Sequence, residues 1–175
     1  MVTIGGADLG GLDMYLLRSA VIVLDRPTIV EVTIREYLSL AAPGTGSDAM
    51  LDVLEQVDLA DRVARLPEGL DTPLASSGWP LSIGEVMELK LANALLSRPR
   101  VLVLSPLFDL MQPDKLARAL ATLRDAGTTV ILFTAKPGNI ELDGWMLMDV
   151  VSQRRFSTLD ALENARSAGE PARAL

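Results

Sequence analysis

Residues 101–134 read VLVLSPLFDLMQPDKLARALATLRDAGTTVILFT, and this stretch decides the class of fold. Its first four residues are apolar without alternation, as in a short strand covered on both faces. Pro113 suits the first turn of a helix, where a missing N–H removes no hydrogen bond. Leu116, Leu120 and Leu123 then recur on one helical face, and Gly127 ends the helix. TVILFT at 129–134 is a second strand of the same character. A strand, a helix and a strand in immediate succession predict an α/β layered fold.

The pattern extends outward from there. VIVL at 21–24 is another continuous apolar run, also expected to be buried on both faces. Residues 2–4 form a brief strand ended by Gly5 and Gly6, and residues 145–148 and 150–156 are two further, less buried strands. From Ser47, the apolar residues Met50, Leu51, Leu54, Val57 and Val63 recur mostly at three- and four-residue steps. They predict one helix capped by Ser47 or Asp48. Its surroundings, residues 42–80, are rich in Gly, Pro and acids and read as a helical insertion beside the sheet. Residues 84–96 predict a helix with Val86, Leu89, Ala92, Leu95 and Leu96 toward a core. Residues 158–165 form a short last helix before a fraying tail.

Composition limits the chemistry. The chain has 175 residues and 18.8 kDa, room for one domain with a real core. Sixteen basic residues against 23 acidic ones give a net charge of -7, which lacks the basic footprint a nucleic-acid partner requires. There is no Cys and no His, so thiolate or imidazole metal sites, Ser-His-Asp chemistry and imidazole acid/base work have no residues to use. The apolar runs are too short to span a bilayer, and MVTIGGADLG has no basic start followed by an apolar stretch, so a cytoplasmic location is expected.

Five segments in order carry a family resemblance. They are residues 4–18 (IGGADLGGLDMYLLR), 21–38 (VIVLDRPTIVEVTIREYL), 66–99 (LPEGLDTPLASSGWPLSIGEVMELKLANALLSRP), 101–114 (VLVLSPLFDLMQPD) and 129–137 (TVILFTAKP). Together they resemble the nucleotide-binding domain of ATP-binding-cassette (ABC) transporters, especially exporters, over nearly the whole chain. The resemblance implies a P-loop NTPase-like parallel-sheet core with a helical subdomain at about 35–98, all within one domain spanning 1–175. The likeness starts just beyond the family's phosphate-binding loop, so a domain truncated at its N-terminus is expected.

The residues that the family uses are mostly replaced. The phosphate loop, G-x-x-x-x-G-K-[ST], is not found, and none of the three lysines, Lys90, Lys115 and Lys136, follows a glycine at its spacing. Gly5, Gly6, Gly10 and Gly11 read as turn glycines. The family's Mg²⁺-holding aspartate and water-polarising glutamate are Ser105 and Pro106 here. Asp109, further along that loop, reads as a solvated loop acid and not as a base. Gln112 stands where an aspartate is usual, and Ala135 takes the place of the switch histidine. Lys136 beside it is expected to point to the opposite face.

Asp25 occupies the glutamine-loop position and reads as a ligand of nucleotide-bound Mg²⁺ or as a strand-end turn residue. The signature L-S-G-G-Q is represented by Leu81-Ser82-Ile83-Gly84-Glu85. Ser82 and Gly84 remain as nucleotide-facing residues, or Ser82 is only a helix cap. Ile83 restricts the backbone, and Glu85 brings negative charge toward a γ-phosphate position.

The resemblance therefore implies a degenerate domain with no catalytic residues and no metal site of its own. It would not hydrolyse ATP alone, and would involve ATP and Mg²⁺ only where a partner supplies the phosphate loop. Its expected role is as a partner or regulatory half of a transporter-type ATPase, dimeric with an ABC-type half or docked on a transmembrane domain. The transporter partner would then hold it at the inner face of a membrane. The alternative is an ATP-hydrolysing subunit whose phosphate loop comes from another chain or an upstream segment. A third reading is a gene remnant that folds partially or not at all.

Overall fold

A computed structural model of the chain describes residues 3–4, 7–8, 11, 13, 17–18, 20–138, 140–148 and 152–169. The chain divides into two compact units, residues 1–135 and 136–175. Gly5, Gly6 and Gly10, and residues 2, 150 and 151 of the expected strands, lie outside the described residues.

Within the first unit, β1 (Thr3–Ile4) and β2 (Ala7–Asp8) pair antiparallel. The central sheet holds three parallel strands in the order β3 (Val21–Leu24), β4 (Val101–Leu104) and β5 (Thr129–Leu132). Their register aligns Leu24, Leu104 and Leu132 in one row and Val23, Val103 and Ile131 in the next. Because side chains alternate across a sheet, these two rows face opposite ways.

The two faces differ. The Leu24 row faces the helices, and Leu102 and Leu104 are wholly buried. On the other face Val23 is 55% exposed, Ile131 45% and Phe133, just past β5, 46%. The expectation of strands buried on both faces is therefore wrong for this sheet. The apolar runs are real, but helices among the described residues pack on one side of them.

Among the described residues, the complete α-helices are α1 (Ile34–Ala41), α2 (Ser47–Gln56), α3 (Ala60–Ala64), α4 (Ile83–Ser97), α5 (Pro113–Asp125) and, in the second unit, α6 (Leu159–Gly169). Helix α4 is the axis of the first unit and packs against α1, α2, α5 and β3. Val86, Met87, Leu89, Leu91, Ala92, Ala94 and Leu95 are all buried, so α4 is apolar nearly all round, as a helix enclosed by others must be. Asn93 Nδ2 donates to the Tyr37 carbonyl at 2.8 Å and ties α4 to α1. Helix α5 begins at Pro113 as expected and buries Leu116, Ala119, Leu120 and Leu123.

The helix expected to run from Ser47 through Val63 is two helices. Asp58 sits between α2 and α3 with φ of 57°, a left-handed conformation that breaks the hydrogen-bond ladder. Val57, Leu59 and Val63 remain buried on both sides of the break, which is why the apolar spacing looks continuous. Asp58 Oδ2 lies 3.5 Å from Lys115 Nζ and 3.5 Å from Arg118 Nη2, both on α5. Arg35 on α1 adds a second tie. Its Nε and Nη2 donate to the two carboxylate oxygens of Asp71 at 2.7 and 3.1 Å, and its Nη1 donates to Ser47 Oγ at 2.7 Å.

The second unit pairs β6 (Trp145–Met148) with β7 (Gln153–Phe156) antiparallel, and α6 packs on that hairpin with Leu162 buried. Arg154 lies over the Phe156 ring, 6.0 Å from its centre.

Candidate functional site

In open parallel sheets, ligands bind beyond the carboxyl ends of the strands. Here those ends carry Asp25 after β3, Ser105 after β4 and residues 133–135 after β5. The ladder continues past the strands: Ser105 N–H donates to the Leu24 carbonyl at 3.1 Å, and Phe133 N–H to the Leu104 carbonyl at 2.9 Å. Ser105 caps a 3-10 turn, Pro106–Leu110, by accepting the Leu107 N–H at 3.4 Å. Pro106 is the first residue of that turn, and the wholly buried Phe108 anchors it.

Asp109 projects from the same turn. Its Oδ1 accepts the Thr134 hydroxyl at 2.6 Å, and its Oδ2 accepts the Ala135 N–H at 2.9 Å. It is half-buried, so reading it as a solvated loop acid is incorrect. The spacing of 26 residues from Asp109 to Ala135 gives no sequence signal for this pairing. Only the fold brings the two loops together.

Asp25 is exposed at the end of β3 and pairs with the adjacent Arg26 at 3.4 Å. Lys90, on α4, is half-buried. Burial pushes its pKa down, and the charge of Asp25 acts in the opposite direction. Among the described residues no group of three or more His, Cys, Asp or Glu is placed to hold a metal ion.

The second cluster is the N-terminus of α4. Ser82 is its N-cap: Glu85 N–H donates to Ser82 Oγ at 3.3 Å and Ser82 N–H donates to Glu85 Oε2 at 2.7 Å, a complete capping box. Arg62 on α3 donates from Nε to Glu85 Oε1 at 3.0 Å and from Nη2 to the Pro80 carbonyl at 2.9 Å. Burial opposes ionisation of Glu85. Hydrogen bonds from Ser82 together with Arg62 outweigh it and hold the carboxyl below its ordinary value. The Glu85 charge is therefore met by Arg62 and the cap. Nothing in the local sequence around Arg62 marks it for this contact.

Gly84 is half-buried in the first turn with open space where a Cβ would stand. Ile83 is exposed, and so is Trp79 in the preceding loop, at 72%. Gly78 in that loop has φ of 90°, and a Cβ there would collide with Val86 Cγ2. Chemically, both clusters offer hydrogen-bonding groups that are already engaged with one another.

No protein-family model matches the chain. Individual curated proteins do match. The mating factor M secretion protein mam1 of Schizosaccharomyces pombe is 28% identical over 165 residues, covering 93% of this chain and 12% of that protein. The cyclolysin secretion/processing ATP-binding protein CyaB of Bordetella pertussis is 30% identical over 135 residues, 75% of this chain and 19% of that protein. P-glycoprotein 14 of Caenorhabditis elegans is 28% identical over 142 residues, 79% of this chain and 11% of that protein. The chain thus spans less than a fifth of each of these relatives.

A bacterial Atm1-family ABC exporter solved with ATP bound shares the fold, with a TM-score of 0.69 and 24% identity over 89% of this chain and 30% of the exporter chain. The five ordered segments, the parallel sheet with its helical layer and these relatives lead to one assignment: the chain belongs to the nucleotide-binding domains of the ATP-binding-cassette transporter family.

Proposed function

We propose that this chain is a single, degenerate ABC-type domain that does not hydrolyse ATP by itself and acts as the partner or regulatory half of a transporter-type ATPase. The engagement of the strand-end groups carries this reading. Ser105 brings no charge and accepts from its own loop, Pro106 has no side-chain acceptor, and the Ala135 N–H is held by Asp109. An aqueous Mg²⁺ triphosphate needs a cationic cradle, a carboxylate for the metal and a group to orient water. The residues present do not fit that set.

The role follows from what is retained. The helical layer around α4 is well packed, and the segment from Pro27 to Tyr37 leads into it. We assign docking on a transmembrane domain to that segment. Ser82 and Gly84 are the residues that would approach a nucleotide held by an ABC-type partner, and Asp25 would approach its metal. ATP and Mg²⁺ therefore enter only with a partner that supplies the phosphate loop. Such a chain works in the cytoplasm, at the inner face of a membrane when its transporter is present. Among the described residues no helix is long and apolar enough to cross a membrane.

The test is phosphate release from Mg²⁺-ATP by the purified chain and by the chain combined with a catalytically competent ABC-type half. No release by the chain alone and altered release by the pair are expected. Turnover by the isolated chain that is abolished in a Ser105→Ala or Asp109→Asn variant would overturn the reading, as would tight Mg²⁺-dependent ATP binding in a calorimeter.

A further inference from the structure

Two donors of different origin converge on the carboxylate of Asp109. The Thr134 hydroxyl reaches one oxygen at 2.6 Å and the Ala135 N–H reaches the other at 2.9 Å. Both donors follow directly on the sheet, because Phe133 N–H continues the β4–β5 ladder to the Leu104 carbonyl at 2.9 Å. The carboxylate is fixed as well, on a turn anchored by the Ser105 cap and the buried Phe108. A backbone N–H beside a hydroxyl, at the carboxyl end of a parallel strand, is the kind of donor pair that receives neighbouring oxygens of an oxyanion.

We propose that Thr134 Oγ1 and Ala135 N–H form an oxyanion site of the phosphate class that the chain keeps filled with its own Asp109 carboxylate. Charge-assisted hydrogen bonds of these lengths are strong ones. A carboxylate tethered on a short turn competes with dissolved anions at a high effective concentration. Its charge also repels an approaching phosphate. Asp109 is thus an internal stand-in that closes this end of the crevice. This rests on the reading of a chain without hydrolytic activity of its own and predicts that its strand ends do not take up phosphate from solution.

The experiment is a titration with inorganic phosphate at constant ionic strength, followed at the Ala135 amide by two-dimensional NMR. The samples are the full chain and its Asp109→Ala and Asp109→Asn variants. The unsubstituted chain is expected to show no saturable shift. The Asp109→Ala variant gains one, with apparent affinity at least about tenfold above any response of the unsubstituted chain. Should Asp109→Ala fail to fold, Asp109→Asn keeps a carbonyl acceptor for one donor and removes the charge, and it shows the same shift with weaker saturation.

The inference is overturned if neither variant gains a phosphate response, even where Ala135 exchanges its amide proton faster, since Asp109 is then only a staple between loops. An equal response by the unsubstituted chain also overturns it. A silent titration sinks this inference alone, whereas ATP turnover by the unsubstituted chain sinks the functional reading whatever phosphate does to the variants.

Discussion

The helical layer and the sheet of the first unit differ in how completely each encloses its apolar groups. Around α4, side chains from α1, α2 and α5 bury Ile34, Leu38, Leu54, Leu89, Leu91 and Leu120 to 1% exposure or less. In the sheet, the row Val23, Val103 and Ile131 has no helical layer over it among the described residues. The strands are the more continuously apolar in sequence, yet they are the less enclosed. Packing density, then, is a property of the helical layer first, and the sheet relies on it from one side.

Substitutions in the two regions put that contrast to the test. The largest expected effect is in the helical layer: Leu91→Ala should destabilise by about 2–5 kcal/mol, while Val23→Ala on the open face should stay under about 1 kcal/mol. Urea denaturation of both variants measures the difference, and similar losses would show that the open face is covered in solution. Next is Gly78→Ala, which places a methyl group against Val86 at a positive φ. Its expected loss is about 2–3 kcal/mol from overpacking and left-handed strain combined. The Val86→Ala variant should recover part of that loss in a double-mutant cycle.

Smaller again is the α4 cap. Ser82→Ala should cost about 1 kcal/mol of stability by denaturation, the value of a lost N-cap. Glu85 adds a pH dependence of known sign. Its folded pKa is depressed, so its stabilisation is present above the ordinary carboxylate value and is lost as pH falls through the folded value. Glu88 has the opposite sign, because burial raises its pKa, and its stabilisation fades as pH rises through the raised value. Glu85→Gln should flatten the acid limb of a stability–pH curve, and Glu88→Gln should not.

The least effect at neutral pH belongs to Tyr37. Burial pushes its phenol up to about 12. An acid whose folded pKa is raised stabilises below its unfolded value, near 10, and loses that contribution as pH rises toward the folded value. Spectroscopic titration of the chain and of Tyr37→Phe should show the late-ionising phenol disappear in the variant.

Much of this organisation is legible in the sequence. The Pro113 start, the Gly127 stop and the apolar spacing of α4 and α5 each follow from local chemistry, and the structure keeps them, whereas the strand expected over residues 129–134 ends at Leu132. The capping box at Ser82 and Glu85 is written in the S-x-x-E spacing itself. What the sequence hides is non-local. An apolar run does not tell whether one or both faces will be covered, so the exposure of Val23 and Ile131 contradicts the pattern. The break at Asp58 is hidden because buried residues on both sides stay in phase. Asp109 with Thr134 and Ala135, and Arg62 with Glu85, are pairs made by the tertiary fold between segments with no shared motif.

Asp58 has a consequence for how this chain tolerates drift. Its backbone sits where glycine would rest more easily, while its carboxylate links to two cations on α5. Exchanging it for glycine relieves one cost and forfeits one attraction, so the two effects nearly cancel. Asparagine keeps the tolerance for this conformation without the charge. A saturation library selected for folded protein should therefore retain Gly and Asn at position 58 and discard Val and Ile, leaving an ionic contact that selection on stability alone hardly sees.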